Sequence, residues 1–151
     1  MRVTNPVLIG ILAVAVIACS ATRPPLPPTL SIQLPSNEWG DFTLDVYDES
    51  GLVTGGRSGE QSLGGVTPTK ATVSPDGMEL AVDWTGGACS HRPLLFVRGD
   101  AEKLDLVIVP SPVELSLAPP EGCPAIGILS SAAVTLSQPV PQENVAIETQ
   151  Q

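Results

Sequence analysis

The chain is poor in the residues on which catalysis and nucleic-acid binding most often depend. His91 is its single histidine, so any Ser-His-Asp or Cys-His site would have to use that residue, and no G-x-S-x-G motif accompanies it. Only 7 basic residues stand against 16 acidic ones, giving a formal charge of −9 that is repelled by phosphate backbones. We therefore expect no nucleic-acid partner, no catalytic residues and no enzymatic activity.

Motifs for phosphate or metal binding are also missing. Residues 54–68 are Gly-rich, but they contain neither a G-x-G-x-x-G that opens a helix nor a G-K-S/T, so we predict a mobile loop there. Calcium binding by Asp41, Asp45 and Glu49 is an alternative, although no D-x-D-x-D-G loop is present. A solvated acidic strand face is the simpler interpretation, and we expect no cofactor and no bound metal.

The N-terminal segment indicates export and anchoring. Residues 7–17 are apolar, follow a short positive start, and are too short to span a bilayer core of roughly 30 Å. The following Val-Ile-Ala-Cys, residues 16–19, resembles a bacterial lipobox, in which the cysteine thiol carries a diacylglycerol and the chain is cut just before it. This resemblance predicts a signal peptide at 1–18 and lipidation of Cys19. An ordinary signal peptide is the alternative, but it favours an A-x-A-like triplet, which is absent.

A Pro-rich segment follows the predicted lipidation site. We interpret residues 19–29 as a tether in extended polyproline II conformation, or as a disordered tail. Removal of residues 1–18 takes Arg2 away and leaves 6 basic and 16 acidic residues, a formal charge of −10. Anionic lipid headgroups repel such a domain, so the lipid itself would hold it to the extracytoplasmic face of the cell membrane.

The cysteine count predicts one disulfide. Once Cys19 is lipidated, Cys89 and Cys123 are an even pair in an exported domain. Closing that loop is worth roughly 3 to 4 kcal/mol by loop entropy. Zinc binding by these cysteines with His91 is the alternative, but a structural zinc site needs four ligands at tight paired spacings. We therefore predict a Cys89–Cys123 bridge and an exposed loop position for His91.

Apolar and polar residues alternate with a period of two along most of the chain after residue 29, which is typical of half-buried strands. Pro75-Asp76-Gly77 is the strongest hairpin signal, and Arg98–Glu102 and Asp48–Gly51 predict two more turns. The strands are predicted at residues 30–34, 42–47, 71–74, 78–84, 94–97, 104–108, 113–117, 134–136 and 145–147.

This pattern predicts an all-β fold. About eight short strands without helical crossovers are typical of a single immunoglobulin-like antiparallel β-sandwich, and less so of a small barrel. We assign this domain to residues 30–151. Its core is aliphatic with few aromatic residues, so a disulfide would compensate for a thin interior. Trp84 precedes Cys89 instead of lying between the two cysteines, which limits the likeness to antibody domains to their architecture.

Two segments carry a further resemblance. Residues 84–93 and 121–127 are similar to parts of small secreted and lipid-anchored β-domains of high-GC Gram-positive bacteria, which have no assigned activity. The resemblance implies no functional residue. We expect a membrane-tethered, non-enzymatic module that binds an envelope protein or glycan through its loops. The alternative is an envelope hydrolase that uses surface carboxylates.

Overall fold

The structure is a computed structural model that describes residues 26–110 and 122–150. The predicted signal peptide, Cys19, most of the tether and the predicted strand at 113–117 lie outside the described residues. No helix within the described ranges is long and apolar enough to cross a membrane. The elements are β1 (Leu30–Gln33), β2 (Thr43–Asp48), β3 (Val53–Leu63), β4 (Lys70–Val73), β5 (Glu79–Gly87), β6 (Leu94–Gly99), β7 (Leu104–Val109), β8 (Gly127–Leu136), a 3-10 turn (Gln142–Asn144) and β9 (Val145–Thr149).

The strands form two sheets, which confirms the predicted all-β sandwich. The five-stranded sheet has the order β1-β2-β6-β7-β9, and the four-stranded sheet has the order β3-β8-β5-β4. The four-stranded sheet is antiparallel throughout. The five-stranded sheet differs from the expected antiparallel pattern, because β2 pairs with β6 and β7 pairs with β9 in parallel. Both parallel pairs join strands that are distant in sequence, so local turn signals do not reveal them.

The core lies between the facing sides of the two sheets. Alternate residues of β5, Leu80, Val82 and Trp84, point inward and are almost fully buried. Aliphatic side chains of β2, β6 and β7 oppose them from the other sheet, and those of the neighbouring β8 lie beside them, as the period-two pattern requires. The fully buried side chains include Leu44, Val46, Leu95, Val97, Leu104, Leu106, Ile108, Ile128, Val134 and Leu136.

Tight turns connect the strands at one end of the sandwich, which we call the turn end. At each of the three predicted turns, an aspartate carboxylate accepts backbone N–H groups two or more residues ahead, and a glycine with positive φ completes the reversal. The aspartate and glycine pairs are Asp48 with Gly51, Asp76 with Gly77, and Asp100 with Gly99. All three predicted turns are confirmed.

The Gly-rich segment is mostly a strand, so the predicted loop at 54–68 was wrong for most of its length. β3 runs along β8 from Val53 to Leu63, and only residues 64–69 connect β3 to β4. Close packing explains one of the glycines: a Cβ on Gly56 would lie 2.5 Å from Ile32 Cδ1 and 2.9 Å from the Ala133 carbonyl oxygen. Glycine therefore permits close packing here, rather than mobility.

Candidate functional site

The longer connections lie at the opposite end of the sandwich, which we call the loop end. They are residues 34–42, 64–69, 88–93 and the described part of the β7–β8 connection, 122–126. The chain enters β1 at the turn end, where the Thr29 N–H donates to the Val46 carbonyl at 2.8 Å and Leu30 pairs with Val46. The start of β1 and the longer loops are thus at opposite ends of the domain.

A disulfide joins two of these connections. Cys89, buried in the β5–β6 connection, is bonded to the exposed Cys123 ahead of β8, with their Cα atoms 5.9 Å apart. The bridge confirms the predicted pairing. It also occupies both sulfurs that the zinc alternative required, and no group of three or more potential metal ligands occurs among the described residues.

His91 lies inside the loop end, so its predicted exposure was wrong. It is 7% exposed, its ring centroid is 4.8 Å from that of Phe42, and Nε2 is 2.9 Å from the Trp39 carbonyl oxygen. Because a carbonyl only accepts, Nε2 carries the proton in this contact. His91 Nδ1 and Trp39 Nε1 are buried without a hydrogen-bond partner in the described chain. His91 therefore packs the 34–42 loop against the 88–93 loop.

The acidic face predicted on β2 is not a solvated pair. Asp45 is 4% exposed, accepts from Ser31 Oγ at 2.6 Å and pairs with Arg92 at 2.9 Å. Asp41 is exposed and accepts from the Ser36 hydroxyl at 2.6 Å. The arginine and serine partners explain how β2 buries a carboxylate that the alternation placed outside.

Glu49, the third residue of the calcium alternative, also has a partner elsewhere. Its carboxylate pairs with Arg98 at 3.2 Å, on the side of the turn end. Asp41, Asp45 and Glu49 thus bond three separate sets of partners. The structure gives no arrangement in which these carboxylates share a cation.

A hollow of about 530 Å³ opens on the outer face of the four-stranded sheet, in the half next to the loop end. Its floor is formed by β8 and β5, its sides by β3 and β4, and its upper wall by the 64–69 connection. All four strands contribute residues, so the hollow crosses the width of the sheet. It is lined by Glu60, Ser62, Thr67, Pro68, Thr69, Lys70, Asp83, Leu129 and Ser131.

A β-bulge in β3 places Glu60 at this hollow. Ser58 pairs with Ala132 and Gln61 with Ser130, so Gly59 and Glu60 together oppose the single residue Ser131. Ser131 Oγ accepts from the Glu60 N–H at 2.8 Å and lies 3.2 Å from the Glu60 carbonyl oxygen. A Cβ on Gly59 would overlap Ser131 Oγ. Bulges of this kind redirect a side chain and are frequent beside functional sites.

Three charged groups around the hollow have no hydrogen-bond or ion-pair partner among the described residues. Lys70 and Asp83 are register partners on β4 and β5, but they form no ion pair. In residues 26–110 and 122–150, no hydrogen bond or ion pair engages the Glu60 carboxylate, the Asp83 carboxylate or the Lys70 ammonium. These groups are therefore available to a ligand.

Toward the turn end, the same sheet face carries an ion pair in which both charged side chains have a partner. Arg57 of β3 donates to Glu79 of β5 through Nε at 3.0 Å and through Nη2 at 2.6 Å. This hydrogen-bonded guanidinium lowers the pKa of the Glu79 carboxyl, and Glu79 in turn raises the pKa of Arg57. The outer face of the four-stranded sheet thus carries a formed ion pair toward the turn end and charged groups without described partners toward the loop end.

Three apolar residues are exposed at the loop end. Leu63 at the end of β3 is 55% exposed, Val66 in the following connection is 89% exposed, and Ile126 before β8 is 37% exposed. Leu63 pairs with Ile128, and the Gly64 N–H donates to the Gly127 carbonyl, so the three residues share the loop end. Apolar side chains exposed together are typical of interaction surfaces.

The sequence analysis missed the hollow because it depends on register. A Gly-Glu dipeptide inside a strand pattern is the one signal for the bulge, and residues 54–68 contain it. Lys70 and Asp83 become neighbours only when β4 pairs with β5. In comparisons with protein-family models, curated proteins and solved structures, no match to this chain was found.

Proposed function

We propose that the protein is a lipid-anchored, non-enzymatic binding module on the extracytoplasmic face of the cell membrane. One observation carries the proposal: the chain enters the sandwich at the turn end, and the longer loops, the disulfide and the hollow lie at the other end. A tether attached through Cys19 would therefore direct the loop end away from the bilayer. The lipobox-like residues 16–19 support the anchor, and the oxidised cysteine pair is consistent with an exported domain.

The anchor is tested by mass spectrometry of the N-terminal peptide from membrane-purified protein. We expect a diacylglycerol-modified Cys19 as the first residue, and we expect Cys19→Ser to leave an uncut precursor without lipid. Ser20→Ala is the matched control and should be processed normally. An unmodified Cys19, or a mature N-terminus elsewhere, contradicts the anchor.

The orientation is tested with fluorophores in lipid vesicles. A dye at position 143, in the exposed 3-10 turn of the turn end, should transfer energy to headgroup acceptors more efficiently than a dye at position 66. A photocrosslinking residue at position 66 should then form discrete adducts in native membranes, whereas the same residue at 143 should not. Equal transfer and equal crosslinking at both positions contradict the proposal.

An envelope hydrolase remains the second candidate, because Glu60 and Asp83 line one hollow. Most glycoside hydrolases use two carboxylates that flank the scissile bond of the substrate. Here Glu60 is exposed and Asp83 is half-buried, so neither is withdrawn from water in the way that a general acid requires. The environment therefore favours binding. Release of soluble fragments from isolated cell envelopes, lost in both Glu60→Gln and Asp83→Asn, would favour the hydrolase instead.

A further inference from the structure

We infer that the hollow on the four-stranded sheet binds a carbohydrate segment that carries at least one free amino group. This inference rests on the proposed binding function and specifies its ligand. It begins from the Gly59–Glu60 bulge, which is held by two contacts to Ser131 and brings Glu60 to the same hollow as Asp83 and Lys70. The Glu60 carboxylate that the bulge positions has no hydrogen-bond or ion-pair partner in the described chain. The bulge therefore does not exist to complete an ion pair within the described chain.

Charge determines which carbohydrates fit. Two carboxylates and one ammonium give the hollow a local charge of −1, within a chain whose formal charge is −9. Phosphorylated and uronic-acid ligands would meet repulsion from both the site and the whole domain. An ammonium group on the ligand would instead donate to the Glu60 or Asp83 carboxylate. Hydrogen bonds between charged partners are stronger than those between neutral groups.

The remaining lining suits a sugar ring. Hydroxyl groups both donate and accept, so a sugar can use the two acceptor carboxylates, the Lys70 donor and the Ser62 hydroxyl together. Pro68 and Leu129 supply an apolar surface for the C–H groups of a ring. A volume of about 530 Å³ that crosses four strands also favours an elongated ligand over a single small ion.

A peptide that adds as a strand at β4 is the less suitable ligand, because the outer edge of β4 is already covered. The Gln142 side chain accepts from the Val73 N–H at 2.7 Å and donates to the Ala71 carbonyl at 3.3 Å. These contacts occupy the outer edge of β4 in the way that a fifth strand would. The open groups of the hollow are side chains on the sheet face and not backbone groups at its edge.

The test is calorimetric titration of the full lipidated chain in detergent with a trimer of β-1,4-linked glucosamine. The fully N-acetylated trimer, which lacks the amino groups, is the matched ligand control. We expect saturable binding of the amino form, weakened at least about tenfold by N-acetylation and also by Glu60→Gln and by Asp83→Asn, since each removes a charge-assisted hydrogen bond. Binding should also weaken as salt is raised.

Glu143→Gln is the matched protein control, because it removes an exposed carboxylate at the turn end without touching the hollow. It should bind like the unmodified chain. Ser131→Ala should loosen the bulge and weaken binding while Glu60 itself is retained. Thermal melts of every variant separate a binding loss from a folding loss.

Several outcomes would overturn the inference: no binding of the amino trimer, equal affinity for both trimers, affinity unchanged in both carboxylate variants, or binding of an unstructured peptide at the same residues. The proposed function would survive these outcomes if the crosslinks at position 66 and the lipid on Cys19 were still found. Failure of the carbohydrate site and failure of the binding module are thus distinguishable.

Discussion

The three tight turns at one end of the sandwich and the longer loops at the other are held by interactions of very different range along the chain. At the turn end, Asp48 accepts from the Ser50 and Gly51 N–H groups, two and three residues away. At the loop end, His91 contacts Trp39 across 52 residues, and the disulfide spans 34. The three tight turns are therefore built by local chemistry, and the 3-10 turn at the same end adds long-range bonds from Gln142 to β4, across 69 and 71 residues. The longer loops are held by a few long-range links, and the binding surface that we propose lies beside them.

The largest expected effect of breaking a link is at the disulfide. Cys123→Ala, or reduction of the unmodified protein, should cost about 2 to 5 kcal/mol, because the loop end then loses its covalent constraint. Thermal melts under reducing and non-reducing conditions measure the loss. Cys89 and Cys123 should resist alkylation before reduction. If both thiols are alkylated without reduction and the stability is unchanged, the loop end has no stabilising disulfide.

The next effect is expected at His91. His91→Phe keeps an aromatic ring beside Phe42 but removes the donor to the Trp39 carbonyl, which should cost about 1 to 3 kcal/mol. Denaturant unfolding gives the value, and amide hydrogen exchange should show faster opening in residues 34–42 than at the three tight turns. Uniformly faster exchange in both ends would contradict a role confined to the loop end.

A comparable local break at the turn end is Asp48→Ala. The Asp48 carboxylate accepts from Ser50 Oγ and from the N–H groups of Ser50, Gly51 and Val53, so we expect a loss of about 1 to 2 kcal/mol. The affinity that we propose for the glucosamine trimer at the hollow should stay unchanged, because the hollow lies in the half of the sheet away from Asp48. Asp48→Asn, which keeps an acceptor oxygen, should recover part of the stability. Reduced affinity in Asp48→Ala would show that the two ends are coupled.

The smallest effect is expected from the Arg57–Glu79 pair on the outer sheet face. Arg57 lowers the pKa of Glu79 below its ordinary value of 4.5, so the pair stabilises the fold above that pH and its contribution is lost as the pH falls through the lowered pKa. Glu79→Gln should therefore lower the melting temperature slightly at neutral pH and not at all in strong acid. A difference that persists in acid would mean that Glu79 acts through packing.

The features that the sequence predicted correctly depend on residues that are close in the chain. They are either tight turns or strands in which apolar and polar residues alternate. The alternation of Leu80, Val82 and Trp84 predicted an inward face, and Pro75-Asp76-Gly77 predicted a hairpin, because each depends on the backbone geometry of adjacent residues. The Cys89–Cys123 bridge was predictable for a different reason, because the lipobox interpretation left two cysteines to pair.

Tertiary structure alone decided what lies at the hollow and inside the loop end. The glycines of residues 54–68 predicted a loop from sequence. In the structure they lie mostly in a strand, and Gly56 is needed there because it packs closely against Ile32. His91 and Asp45 looked exposed, and they are buried because Trp39, Ser31 and Arg92 come from other parts of the chain to meet them. Periodicity along one strand fixes which way a side chain points. The neighbours it meets depend on strand pairing and register, which are properties of the whole fold.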